Sequence, residues 1–498
     1  METLVAVTLP PGFYANGTVY QAKSRWFRGH LIRWVDGALR PVGGWTTALT
    51  VAGAAIQATG VPRCALAWRK NDSTAWIAVG THTKLEAYSN GVLTDITPAG
   101  IVTGAVDGSA SAGFGAYGAG NYGAGVYGGA GAAGTISDAD TWSLDNFGEV
   151  LLGCLTSDGK IYESTPTTQA TQVTNSPTGC RSVVVTPERF VFALGASSDP
   201  RLLKWSTQGD RTVWTPAVGN SAGSFPIQTG GRLLTGRRMD RETLLWTDVD
   251  LWSAVYIGGP LYYAFARRGT DCGLLGPNAC CIAGGVAYWM GNQQFFSYAG
   301  AVRSLPCDVS DRVFSDLSQA QRAKIIAVAL AAFNEVWWFY PSASQTGTEN
   351  DRYVKFNTKT GTWDTGTLGR AAAVGTDVFP NPQMWASDGT LYTHENGQNR
   401  GGQTAYVESG PMELGEGERV ARIQRVVPDV TGGPLRITFF AADSPTGAET
   451  TVGPYTLSAE TDVRLETRQP RIKLDDLGAA VDWRLGTFRV GVIPGGRR

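Results

Sequence analysis

Val286-Ala-Tyr-Trp289 runs through Gly291-Asn292 into Phe295-Phe-Ser-Tyr298. Val336-Trp-Trp-Phe-Tyr340 runs through a polar loop into Tyr353-Val-Lys-Phe356 and Gly361-Thr-Trp363, and Met384-Trp385 runs through Ser387-Asp-Gly389 into Leu391-Tyr392. Aromatic and β-branched runs of this length fill pleated, half-buried surfaces, and the glycines between them supply the positive φ of tight turns. Antiparallel hairpins returning at intervals close to the ~40–50 residues of a four-stranded blade predict a β-propeller. Such a fold confines function to its two faces, its central axis and its partners.

Outward from that stretch the same turn recurs. Ser89-Asn-Gly91, Ser157-Asp-Gly159 and Ser387-Asp-Gly389 each lead into an aliphatic strand start, and Asp36-Gly37 separates Leu31–Trp34 from Leu39-Arg40. Asn-Gly and Asp-Gly between apolar runs are hairpin signals, because both residues tolerate positive φ. The hairpins place blades over 65–97, 142–165, 181–215, 233–266, 280–306, 324–366 and 371–396. Six or seven blades fit, with the 31–45 hairpin completing the short last one. Residues 1–27 read as an extended N-terminal arm, since Leu9-Pro-Pro-Gly12 bars a helix. One short connecting helix is expected over 316–323, with Ser315 as N-cap. The propeller spans 28–401 and carries a Gly/Ala-rich insertion at 100–134, too poor in branched aliphatics for a core of its own. Beyond it, 402–498 alternates in short strands as a β-sandwich domain does.

Composition agrees with an all-β chain. Of 498 residues 64 are Gly and 16 are Trp, and 43% are apolar. The formal net charge of −1 gives no global argument for a nucleic-acid or membrane-surface protein. No run approaches the ~18 apolar residues of a membrane helix, and the first residues lack a signal-peptide pattern. Seven scattered cysteines, without a Cys-x-x-Cys pair, read as buried thiols of a reducing cytosol.

No catalytic, cofactor-binding or metal-ligating residue is nominated. His30, His82 and His394 each stand alone in strand or turn contexts. Glu413, Glu416 and Glu418 cluster in a Gly-rich turn, where a solvated loop is the plain reading. The Ser-Asp-Gly turns lack the trailing Trp of a sialidase Asp-box, and no acid/nucleophile carboxylate pair stands out. Trp337-Trp338 and Phe295-Phe296 can present at most one ring of each pair to a given face, so core packing is expected.

Several segments resemble the tail nozzle proteins of short-tailed bacteriophages, also known as tail tubular B or packaged-DNA stabilisation proteins. They are Pro11-Gly-Phe-Tyr-Ala-Asn-Gly-Thr-Val-Tyr20 with Arg25-Trp26, Arg33-Trp-Val-Asp-Gly-Ala-Leu-Arg-Pro-Val-Gly-Gly-Trp45 and Thr141-Trp-Ser-Leu-Asp-Asn-Phe-Gly-Glu149. Residues 291–306 followed by Val309-Ser-Asp-Arg-Val-Phe314, then Trp483-Arg-Leu-Gly486 and Pro494-Gly-Gly-Arg-Arg498, extend the match along the chain. The resemblance implies a structural virion protein with no catalytic residues, assembled in the host cytoplasm into a homohexameric ring. Its partners would be the adaptor/portal complex, a tail needle or tailspike, and double-stranded DNA passing without sequence-specific contacts. A carbohydrate-binding propeller of the tail is the alternative.

Charge is segregated along the chain. No Lys or Arg lies between Lys84 and Lys160, whereas 201–241 holds Arg201, Lys204, Arg211, Arg232, Arg237, Arg238 and Arg241. A conduit gains by keeping cations off its lumen. The 100–134 loop is therefore expected to project toward the channel or a neighbouring subunit.

Overall fold

A computed structural model describes residues 2–110, 136–412, 420–443, 447–478 and 480–495. Pro62–Arg69, Ala75–Thr81, Leu85–Ser89 and Val92–Asp95 form one antiparallel four-stranded meander, and five more follow over 142–172, 182–226, 233–269, 280–305 and 326–366. A further sheet joins Ala372–Val374, Gln383–Trp385 and Leu391–His394 to Trp45–Thr47, an N-terminal strand. First strands meet their neighbours in turn. Pro62–Arg69 packs on Trp142–Phe147, and the contacts pass through Ser182–Val185 to Leu233–Arg238. Cys280–Ala283 packs on Ile326–Leu330, then Ala372–Val374 closes back on Pro62–Arg69. This is β-propeller architecture, with each sheet's first strand innermost.

Indoles stitch sheet to sheet. Trp142 Nε1 donates to Thr81 O at 2.7 Å, Trp289 Nε1 to Cys272 O at 2.8 Å and Trp338 Nε1 to Ala279 O at 3.0 Å, and all three side chains are fully buried. Each buries a large ring between sheets while its one polar atom keeps a partner. The quoted hairpins lie where the pattern put them, in Val286–Met290 with Phe295–Tyr298, Glu335–Tyr340 with Arg352–Asn357, and Gln383–Trp385 with Leu391–His394. Asp36-Gly37 and Asn90-Gly91 have positive φ at both residues, as the hairpin signal requires.

Two expectations are corrected. The 31–45 hairpin does not complete the last sheet; only Trp45–Thr47 does. Ile32–Val35 and Ala38–Pro41 form instead a small sheet with Trp483–Leu485 and Val430–Gly432. Leu31 at φ 52° kinks the chain there, and its N–H donates to Tyr353 Oη at 2.8 Å. The connecting helix also falls earlier, at Ser310–Asp316, and Gln319–Lys324 is 3₁₀. Good helix formers at 319–323 are overridden because Leu317 bridges to Ser342 and Ser318 N–H donates to Pro341 O.

The two chain ends are built together. Thr3–Val7 pairs with Phe488–Pro494 in a sheet shared with Ala421–Val427 and Thr461–Thr467. Trp26–His30 pairs with Tyr406–Ser409 in a second sheet completed by Arg471–Asp475, Arg436–Ala441 and Thr450–Thr456. The region after 402 therefore completes its sheets with N-terminal strands drawn from Thr3–Val7, Trp26–His30, Ile32–Val35 and Ala38–Pro41.

Candidate functional site

The first strands leave one edge unpaired toward the axis, where they enclose a cavity of about 290 Å³. Its walls are Cys64–Ala67, Cys280–Ile282, Ile326–Ala329 and Ala372–Gly375, with Arg237 and Asn278 reaching in and Asp377 at the rim. Alanines at 65, 67, 327, 329 and 373 leave the space.

Asn278 closes one end. Its Nδ2 donates to Arg63 O at 3.0 Å and Trp142 O at 3.4 Å, and its Oδ1 accepts from Arg237 Nη2 at 3.3 Å. Its backbone O accepts from Ala327 N–H at 2.8 Å. One side chain and its own carbonyl thus tie four sheets together across the axis, and the channel becomes a blind pit.

Above Asn278 lies the root of the Gly/Ala-rich insertion. Ser109–Ala110 pairs with Ile136–Ser137 as a two-stranded stalk. Gly108 exchanges both backbone hydrogen bonds with the Gln321 amide, at 3.0 and 2.9 Å. Arg63 clamps Glu349 bidentately at 2.7 and 2.8 Å and donates to Val106 O, while Lys324 Nζ reaches Glu349 and Asp107 at 2.8 and 2.6 Å. Asp138 is held by Arg232 and Arg322. The stalk is thereby anchored to the Pro62–Arg69 strand, to the 3₁₀ segment Gln319–Lys324 and to Arg232, which precedes Leu233–Arg238. Residues 111–135, the bulk of the expected projecting loop, lie outside the described residues.

The sequence's two oppositely charged regions meet in space. Besides Arg232 on Asp138, Arg238 pairs with Asp145 at 3.1 Å. Segregation along the chain becomes neutralisation between the 142–172 and 233–269 sheets, across the one that lies between them.

A second buried ionic cluster fastens the 32–41 hairpin to the last two sheets. Arg33 grips Glu335 at 3.0 and 3.2 Å and Glu395 at 2.7 and 2.9 Å, and its guanidinium stacks 3.6 Å from the Phe333 centroid. Lys355 Nζ sits 3.0 Å from Glu335 and 3.1 Å from Asp364. Burial, joined by the Glu335 charge, pushes the Asp364 carboxyl up to about 7 against the opposing pull of Lys355 and Arg33. Burial works the same way on Glu335, but Arg33 and Lys355 outweigh it and hold that carboxyl below its ordinary value.

His30, His82 and His394 lie in three different places. His30 Nδ1 accepts from Thr367 N–H and Nε2 faces Gln403 Oε1 at 2.9 Å, while burial lowers the ring to about 4. His82 Nδ1 accepts from Val61 N–H. His394 Nε2 accepts from Arg370 at 2.9 Å; burial, then that cation, keep the ring neutral. Each has a structural partner. Among the described residues no three His, Cys, Asp or Glu are grouped to hold a metal. Trp337, Trp338, Phe295 and Phe296 are all buried. Glu413, Glu416 and Glu418 lie outside the described residues. All seven thiols are free, and burial raises them, Cys64 to about 11 and Cys307 to about 12. No helix of the described residues is long and apolar enough to cross a membrane.

Sequence reasoning noted Arg237 only as one of a basic run and passed over Asn278. Neither belongs to a motif; their role exists only where first strands of separate sheets converge.

No family model and no curated protein matches this chain. Among solved structures it is similar to an inactive virginiamycin B lyase of Staphylococcus aureus with quinupristin, at 7% identity and a TM-score of 0.42, over 68% of this chain and 97% of that one. It is also similar to the Swd1 β-propeller domain of Myceliophteria thermophila, at 7% identity and 0.40, over 70% and 99%. The Pan2 WD40 domain of Neurospora crassa matches at 7% and 0.39, over 73% and 97%. Likenesses at these values say nothing of what this chain does.

Proposed function

We propose that the chain is a structural subunit of a phage tail nozzle. Copies would form a ring, hexameric by the resemblance, that sits below the portal and adaptor, carries the needle or tailspikes, retains packaged duplex and passes it at ejection. The observation that carries this reading is an uncovered edge. Among the described residues Thr450–Thr456 ends its sheet with Arg436–Ala441 as sole neighbour, and most of its residues are exposed. Thr461–Thr467 likewise ends the other sheet. Free edges are pairing templates; Pro454 interrupts that of Thr450–Thr456, so lateral packing of copies would cover it on either side of that residue. In this reading the seven axial sheets are seven blades closed by Trp45–Thr47, and residues after 402 form a sandwich with the N-terminal strands.

The axis itself cannot be the conduit. The major groove alone is ~12 Å wide, whereas the pit holds about 290 Å³ and Asn278 closes it. Duplex would run through the lumen between subunits. The alternative, a glycan-reading propeller, loses its stacking platforms because both aromatic pairs are buried.

Light scattering and electron microscopy of the purified chain, alone and on adaptor-bearing particles, test the proposal. Rings with a duplex-wide lumen are expected. A monomer under both conditions, or specific capture on a glycan array, would sink it.

A further inference from the structure

We propose that the blind axial pit is a binding site for a small oxyanion, a carboxylate of about ten non-hydrogen atoms or fewer, received by the Arg237 guanidinium. The inference concerns a single chain and does not depend on ring assembly.

Arg237 is half-buried, and all its hydrogen bonds go to neutral acceptors: Thr235 Oγ1 at 3.0 Å, Gly236 O at 2.9 Å and Asn278 Oδ1 at 3.3 Å. Among the described residues no carboxylate lies within ion-pair distance of it. Other buried arginines are treated differently. Arg33, Arg63 and Arg471 each clamp a carboxylate, and Arg400 is paired with Asp476. Arg370 has no carboxylate but lies against the rings of Trp45 and Tyr392, at 5.2 and 4.9 Å. Arg237 has neither device, and it faces open space.

That space has the right electrostatics. The carboxylate whose charge acts on Arg237, Asp145, is already paired with Arg238. Asp377, the one acid of the lining among the described residues, is exposed to solvent. Cys64, Cys280 and Cys281 line the wall as neutral thiols, since burial pushes each above its ordinary value. A cation in a confined, weakly screened pit attracts an anion strongly, and a guanidinium pairs best with a planar carboxylate. About 290 Å³ equals roughly ten waters at ~30 Å³ each. The closed end excludes threading polymers, and the free strand edges offer backbone N–H groups as further donors.

Calorimetric titration of the full chain with acetate and with benzoate provides the test. Saturable binding of one anion per chain is expected, weakened about tenfold or more in Arg237→Met and less in Arg237→Lys. Failure of both probes to saturate at tens of millimolar, or equal affinity in Arg237→Met, overturns the site. If Arg237→Met does not fold, competition on the wild type decides. Benzoate affinity is expected to fall in proportion to added acetate and to be untouched by acetamide, its uncharged isostere. Benzoate binding that acetate leaves unchanged, or that acetamide weakens equally, rules the site out.

Discussion

The two buried ionic clusters do similar mechanical work with different charge balance. At the axial mouth Arg63 and Lys324 face Glu349 and Asp107, two cations against two carboxylates. At the hairpin clamp Arg33 and Lys355 face Glu335, Glu395 and Asp364, two against three. The surplus carboxylate is the least satisfied, and Asp364 Oδ1 is buried with no hydrogen-bond partner among the described residues. The balanced cluster needs no proton to be neutral, but the unbalanced one does. The same chemistry thus gives one pH-insensitive joint and one that titrates near neutrality.

The comparison breaks most visibly at Arg33. Arg33→Met leaves Glu335 and Glu395 without their shared partner, and removing one member of a buried pair typically costs about 3–5 kcal/mol. Urea unfolding followed by tryptophan fluorescence should show a loss of that order; less than about 1 kcal/mol would mean that the clamp is incidental.

At the mouth, Lys324→Met should cost less, about 1–3 kcal/mol. Arg63 still holds Glu349 through two bonds, and the Asp107 side chain is 48% exposed. Limited proteolysis should also cut the 100–140 segment faster in this variant, because one of its anchors is gone.

Asp364 sharpens the difference. Its folded value of about 7 lies above that of an unfolded carboxyl, so the folded chain keeps a proton that the unfolded chain releases. Its contribution to stability is complete below about pH 4 and lost as pH rises to about 7, with a slope of at most about 1.4 kcal/mol per pH unit. Asp364→Asn should remove that slope and be at least as stable as wild type at pH 8. Parallel stability–pH curves for the two proteins would contradict the surplus-charge account.

The smallest pH effect belongs to Glu349. Burial raises this carboxyl, but the Arg63 and Lys324 contacts hold it below its ordinary value. Its contribution is present above the unfolded value and lost only in acid. The deficit of Glu349→Gln should therefore stay constant from about pH 6 to 9, as urea midpoints across that range would report.

Much of the strand pattern was legible because hairpins are local. The period-2 aromatic runs, Asn90-Gly91 and the nearly identical turns at Gly159 and Gly389 each carry their geometry in a few adjacent residues. The helix at 316–323 was misplaced because propensity there competes with a bridge to Ser342, twenty-five residues downstream of Leu317. Thr450–Thr456 escaped notice because, exposed on both faces, it has no alternation to read.

The site was illegible for a different reason. Local sequence determined strands, turns, the insertion and the segregation of charge, since each depends on neighbours in the chain. Only the tertiary structure brought Arg63, Trp142, Arg237, Asn278 and Ala327 to one point. It also joined the first strand to the last and set Arg33 between two carboxylates 60 residues apart, Glu335 and Glu395. Hydrogen bonds and ion pairs act over a few ångströms of space, and no period in a sequence encodes which distant residues closure will bring within that reach.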